Sequence, residues 1–204
     1  MIVHEIPAEI SLPEPLTPRS AGIHVSGIIR AIATEAGILK PEVAEEVSLV
    51  DARSITDPIA ILRISLGLAW EEYYLPKVPG LVDHPGEMKV DGVYMTHDGE
   101  SLDVVTTEHT QRYETVCHEC KLTWKSTKTV GDLSNQFMWL CQIKAYCKGL
   151  NTRFAKLHVY FVCGDYTYPI RPQLRVWLIE FTEEEISGNW DMLIDYRDVF
   201  VQGQ

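Results

Sequence analysis

Apolar residues recur along this chain at two different spacings, and the change from one to the other organises it. From Ser20 to about Gly37, Ile23, Ile28, Ile29 and Ile32 predict a helix. Asp57-Pro58 predicts a second helix start, because the Asp side chain can accept from open first-turn amides and Pro suits the first position. That run reaches Tyr74, and Pro76 and Pro79 end it. Three runs rich in Val, Thr and Tyr follow: MKVDGVYMT, SLDVVTTE and YETVCHECKLT. Separated by turn residues such as His97-Asp98-Gly99, they predict three strands of an antiparallel meander.

Helical spacing then returns. Asp132 opens a helix to about Leu150, in which Leu133, Phe137, Leu140, Ile143, Cys147 and Leu150 form one buried stripe. Strands are expected over roughly 154–163 and 174–181. Thr182 and Glu185 have the spacing of a capping box, starting a last helix towards Phe200. Residues 1–18 carry four prolines and read as an extended arm. The order predicts an α/β or α+β fold with one mixed sheet flanked by helices. Residues 1–56 would form the arm and a helical annex, and 57–204 the core, in one globular domain overall.

Composition narrows the function. No run of 18 apolar residues exists, so no transmembrane helix is expected. The N-terminus lacks the basic start and apolar run of a signal peptide, so a cytoplasmic location is expected, that of the host if phage-encoded. Five cysteines, at 117, 120, 141, 147 and 163, read as reduced thiols. A net charge of -11 argues against a general nucleic-acid coat, which needs a basic surface. It leaves room for a local basic channel beside carboxylates that a metal offsets.

The sharpest chemical feature is His118-Glu119-Cys120-Lys121-Leu122. Strand side chains alternate faces, so Glu119 and Lys121 share one, extended by Thr123 and Lys125. A carboxylate can hold Mg²⁺, which takes oxygen ligands and keeps water positions open. An ammonium beside it can orient attacking water or neutralise a phosphorane. Asp91, in KVDGV, would supply a second carboxylate, and Glu71, in Leu68-Ala69-Trp70-Glu71-Glu72, a third. Asp103, nearer to Glu119, is the fallback. Gln142 and Tyr146, four apart, share one helix face with Trp139 on the same flank. Each feature alone also has an ordinary reading, as a surface ion pair or a helix margin.

Together, Asp91, Glu119-x-Lys121 and Gln142-x-x-x-Tyr146 resemble the PD-(D/E)XK nuclease superfamily, in its RecB-like and lambda-exonuclease-like branch. Gly67-Leu68-Ala69-Trp70-Glu71 is similar to the helix that precedes the Asp strand there. The resemblance spans roughly residues 60–165 and implies a restriction-endonuclease-like core. It implies Mg²⁺ or Mn²⁺ held by Asp91, Glu119, the Cys120 carbonyl and Glu71, with Lys121 positioning the nucleophilic water. Gln142 and Tyr146 would steady the site and the DNA, and Arg19, Arg30 or Lys125 would touch DNA phosphate. Neither zinc nor an iron–sulfur cluster is expected: Cys117-His118-x-Cys120 has no second ligand pair, and no cysteine precedes position 117.

Three departures stand out: Val90 replaces the usual proline before the Asp, the Asp91–Glu119 gap is long, and Glu72 adjoins Glu71. The implied activity is a DNA exonuclease of phage or bacterial recombination and repair, with an annealing or recombinase partner and a ring-like homo-oligomer. The alternatives are an endonuclease of the same fold, or a binding platform that keeps the fold without catalysis.

Overall fold

A computed structural model describes residues 13–39, 57–106 and 111–202, and the rest of the expected arm and annex lies outside the described residues. Helix α1 is Val25–Glu35, and its buried Val25, Ile28 and Ile29 belong to the central core. Helix α2, Pro58–Tyr74, starts where the Asp-Pro signal places it: the Asp57 carboxylate accepts from the amides of Ile59 and Ala60. A 3₁₀ turn through Pro76 closes it.

Strands β1 (Leu81–Asp83), β2 (Glu87–Val90), β3 (Val93–Thr96), β4 (Gly99–Thr106) and β5 (Gln111–Thr123) come next. Helix α3 is Phe137–Leu150, then β6 (Phe154–Phe161), β7 (Gln173–Glu180) and α4 (Glu183–Gln202). The Thr182–Glu185 capping box forms in both directions, each side chain accepting from the other's amide.

The main sheet has the order β1-β4-β5-β6-β7 and is mixed. Strands β5 and β6 pair in parallel, which demands a crossover, and α3 supplies it; the other pairs are antiparallel. This is the expected mixed sheet flanked by helices. One face, carrying Cys117, Ala155, Leu157, Val159 and Phe161, packs under α3 with α1 and α4 to form the core. On the other face, Trp70 of α2 lies stacked between Tyr74 and Tyr160, at 4.6 and 4.5 Å between ring centroids.

The first expected strand is the point of difference. MKVDGVYMT is a hairpin, β2 paired with β3, turning at Asp91-Gly92 with φ of 47° and 83°. Asp-Gly between two short apolar runs is the sequence of a two-residue turn with both residues left-handed. Asp91 therefore sits at a turn tip in a separate two-stranded sheet, and strand β1 was not foreseen.

Candidate active site

Strand β5 runs through the middle of the sheet, so alternate side chains are buried on both faces. Glu119 and Lys121 do share a face, the one beneath α3, and are ion-paired through Glu119 Oε1. Glu119 is 1% exposed, and its Oε2 has no hydrogen-bond partner among the described residues. Lys121 also donates to Gln142 Oε1 at 3.2 Å, and Gln142 Nε2 donates to the Tyr146 hydroxyl at 2.6 Å. Two of the three ammonium protons are thereby committed among the described residues.

The second carboxylate comes from Asp98, in the two-residue link between β3 and β4. Strand β4 pairs with β5 as far as Gly99–His118, which leaves the next stretch of β5 without a neighbour on that edge. Asp98 fills the gap: its Oδ2 accepts the Cys120 amide at 2.7 Å. A strand residue points its N–H and C=O to the same edge, so the Cys120 carbonyl faces Asp98 as well. Burial, and then the negative charge of Asp98, raise the Glu119 carboxyl above its ordinary range; the Lys121 ammonium opposes them. Asp98 is raised too, by burial, against the pull of Lys121 and the Cys120 amide. Burial alone would lower Lys121, but Glu119 and Asp98 hold it above its ordinary value, so it is an ammonium.

Glu71 is near enough for the charges of Asp98, Lys121 and Glu119 to act on it. Burial raises its carboxyl first, then Asp98, with Glu119 adding and Lys121 opposing. Its neighbour Glu72 is exposed, so α2 turns Glu71 towards the site. Arg19 is near enough for its charge to act on Glu71, and also on Arg30. Lys125, two residues past the end of β5, donates to the buried Gln136 at 2.8 Å and sits 5.2 Å from the Trp139 ring centre.

Two expected ligands are elsewhere. Asp91 Oδ2 accepts from the indole N–H of Trp190 in α4 at 2.8 Å, and its carbonyl accepts from Arg197. It fastens the β2–β3 hairpin to the last helix. Asp103 is paired with Lys156, and its register opposite Glu114 puts it on the sheet face away from Glu119. Cys117 and His118 likewise point to opposite faces, as neighbours on a strand must. In the sequence, His97-Asp98-Gly99 reads as turn chemistry, and that hides the role of Asp98. The available signal was the second Asp-Gly: with Asp91-Gly92 used as a hairpin turn, Asp98 is the next acid at a strand head.

Among the described residues, no three His, Cys, Asp or Glu side chains form a ready-made metal cage. The convergence is instead two close carboxylates, the Cys120 carbonyl and Glu71 alongside. Such a donor set suits Mg²⁺, which keeps several waters and binds through one or two carboxylates. The buried, unpartnered Glu119 Oε2 fits the same ion, since a buried carboxylate oxygen without a partner is costly.

No protein-family model and no curated protein sequence matches the chain. Its fold is similar to the crystal structure of a phage-related exonuclease from Haemophilus somnus 129PT, with TM-score 0.49, 13% identity, and 89% of this chain and 96% of that one covered. It is similar also to an alkaline exonuclease, LHK-Exo, from Laribacter hongkongensis, with TM-score 0.43, 12% identity, and 89% and 93% covered. A third is the crystal structure of SSO0001, with TM-score 0.48, 14% identity, and 92% and 79% covered.

Proposed function

We propose that this chain is a metal-dependent nuclease that hydrolyses DNA, with Asp98, Glu119 and Lys121 at its centre. The observation that supports it is Asp98 seated on the Cys120 amide close enough to act on Glu119, which is ion-paired with the Lys121 ammonium. This keeps the PD-(D/E)XK resemblance and changes its first acid from Asp91 to Asp98, which also removes the long gap to Glu119.

Asp98, Glu119 and the Cys120 carbonyl would hold Mg²⁺ or Mn²⁺, with Glu71 completing the set directly or through water. When bound, the ion would supply Lewis-acid charge and a more acidic water. Lys121 stays protonated, so it serves as a donor: it orients the attacking water and meets negative charge growing on phosphorus. Gln142 fixes the ammonium's direction, and Tyr146 fixes Gln142. Arg19 and Arg30 would receive a DNA phosphate, as guanidinium groups do in fork geometry, and Lys125 would extend that track.

The resemblance carries the reading on to an exonuclease of recombination or repair. The test is incubation with Mg²⁺ or Mn²⁺ and matched linear and covalently closed duplexes. An exonuclease degrades the linear form and spares the circle. Cutting of both makes it an endonuclease, and cutting of neither, in either metal, leaves the non-catalytic platform.

A further inference from the structure

On the sheet face away from Glu119, four side chains from four elements form one hydrogen-bonded line, with Asp103 at its end. The Tyr74 hydroxyl of α2 meets His158 Nδ1 at 2.9 Å. His158 Nε2 meets His118 Nδ1 at 3.0 Å, and His118 Nε2 meets Ser101 Oγ at 2.8 Å. Asp103, two residues further along β4 and on the same face as Ser101, is paired with Lys156, and the Ser101 hydroxyl acts on its carboxylate. The two imidazoles are stacked and nearly sealed from solvent, His118 at 1% and His158 at 2% exposure.

The anionic end sets the direction. Asp103 is held ionised: against burial, the hydrogen bond and charge of Lys156 and the Ser101 hydroxyl keep its carboxyl below the ordinary range. A carboxylate can only accept, so Ser101 donates to it. Ser101 Oγ must then accept from His118, whose single proton is on Nε2. His118 Nδ1 is left to accept from His158 Nε2–H, and His158 Nδ1 accepts from Tyr74. Each ring donates through one nitrogen and accepts through the other, so both are neutral. Every proton points from α2 towards Asp103.

The line ends at Tyr74, three residues after Glu71 and on the same side of the helix. We infer that the Asp103–Ser101–His118–His158–Tyr74 line is a positioning device that fixes the last turn of α2 and so sets where the Glu71 carboxylate stands at the metal site. The inference rests on the nuclease reading for the role of Glu71; the hydrogen-bond order stands without it. Asp103 thus has a use after all, from the opposite face of the sheet.

Two measurements on the full chain, without DNA, test it. Imidazole ¹⁵N NMR is expected to show His118 and His158 neutral and protonated at Nε2, and Asp103→Asn, whose amide can donate as well as accept, is expected to mix the tautomers. An Nδ1-protonated ring in the wild type would overturn the order. Calorimetric titration with Mn²⁺ is expected to weaken about tenfold in Tyr74→Phe, which keeps the ring and its stacking, a loss in the range of removed outer-shell supports. Ser101→Ala gives the same readout if Tyr74→Phe does not fold. Unchanged Mn²⁺ affinity in a folded variant would overturn the positioning role. A wild type that binds no Mn²⁺ would end the metal reading and that role together, while the nitrogen spectrum still decides the order.

Discussion

Asp98 and Cys120 are joined where β4 stops short, the Asp98 carboxylate accepting the Cys120 amide at 2.7 Å. One side chain thereby finishes the ladder of β5 and stands its charge beside Glu119. Backbone pairing and site chemistry share this contact, so disturbing the start of β4 disturbs both.

Gly99, next in the chain, makes that start possible. A Cβ there would lie 2.9 Å from Leu81 Cδ1 and 3.1 Å from the Val82 carbonyl oxygen. Gly99→Ala must push β1 away or tilt the head of β4. It should cost about 1–3 kcal/mol of stability by urea unfolding, as overpacking does, and lower cleavage per folded molecule.

Asp91 predicts the reverse pattern. Replacing it with Ala strands the Trp190 indole N–H, in a side chain only 3% exposed. A buried donor left unsatisfied costs about 1–3 kcal/mol. Urea unfolding should show that loss, while metal-dependent cleavage per folded molecule stays near the wild-type value.

The raised carboxyls of Glu71, Asp98 and Glu119 predict how stability follows pH. Between the unfolded values of about 4 and the raised folded ones, the native state binds more protons than the unfolded chain. Their contribution is present below about pH 4 and is lost as pH rises through the folded values. A divalent cation replaces those protons, so it should raise Tm more at pH 8.5 than at pH 6. An equal rise at both would speak against these carboxylates as its ligands.

Glu71 and Glu72 should separate cleanly. Glu71→Gln is expected to weaken Mn²⁺ binding about tenfold or more, while Glu72→Gln, on the exposed side of α2, should leave it unchanged. Calorimetry without DNA measures both.

Much of this was legible in the chain itself. Asp57-Pro58 and Thr182/Glu185 marked helix starts because caps are local chemistry. Glu119 and Lys121 sharing a face follows from the two-residue period of a strand, and Gln142 with Tyr146 from the helical one. Asp98 was hidden because its role depends on where β4 ends against β5, a matter of register between strands that a local pattern does not carry. Asp91 stands at a hairpin tip because Asp91-Gly92, which a run of strand-forming residues spans, takes left-handed dihedrals at both positions. The line from Tyr74 to Asp103 joins residues 29 apart through two other strands, and single-chain spacing holds no sign of it.

The central claim is that Asp98, and not Asp91, partners Glu119 in holding the ion for phosphodiester hydrolysis. Cleavage of an end-labelled linear duplex in Mg²⁺ by wild type, Asp98→Asn and Asp91→Asn, side by side, tests it. Several kcal/mol of charge stabilisation are at stake, so Asp98→Asn should fall by about 10³-fold while Asp91→Asn keeps most activity. An active Asp98→Asn beside a dead but folded Asp91→Asn would contradict the account.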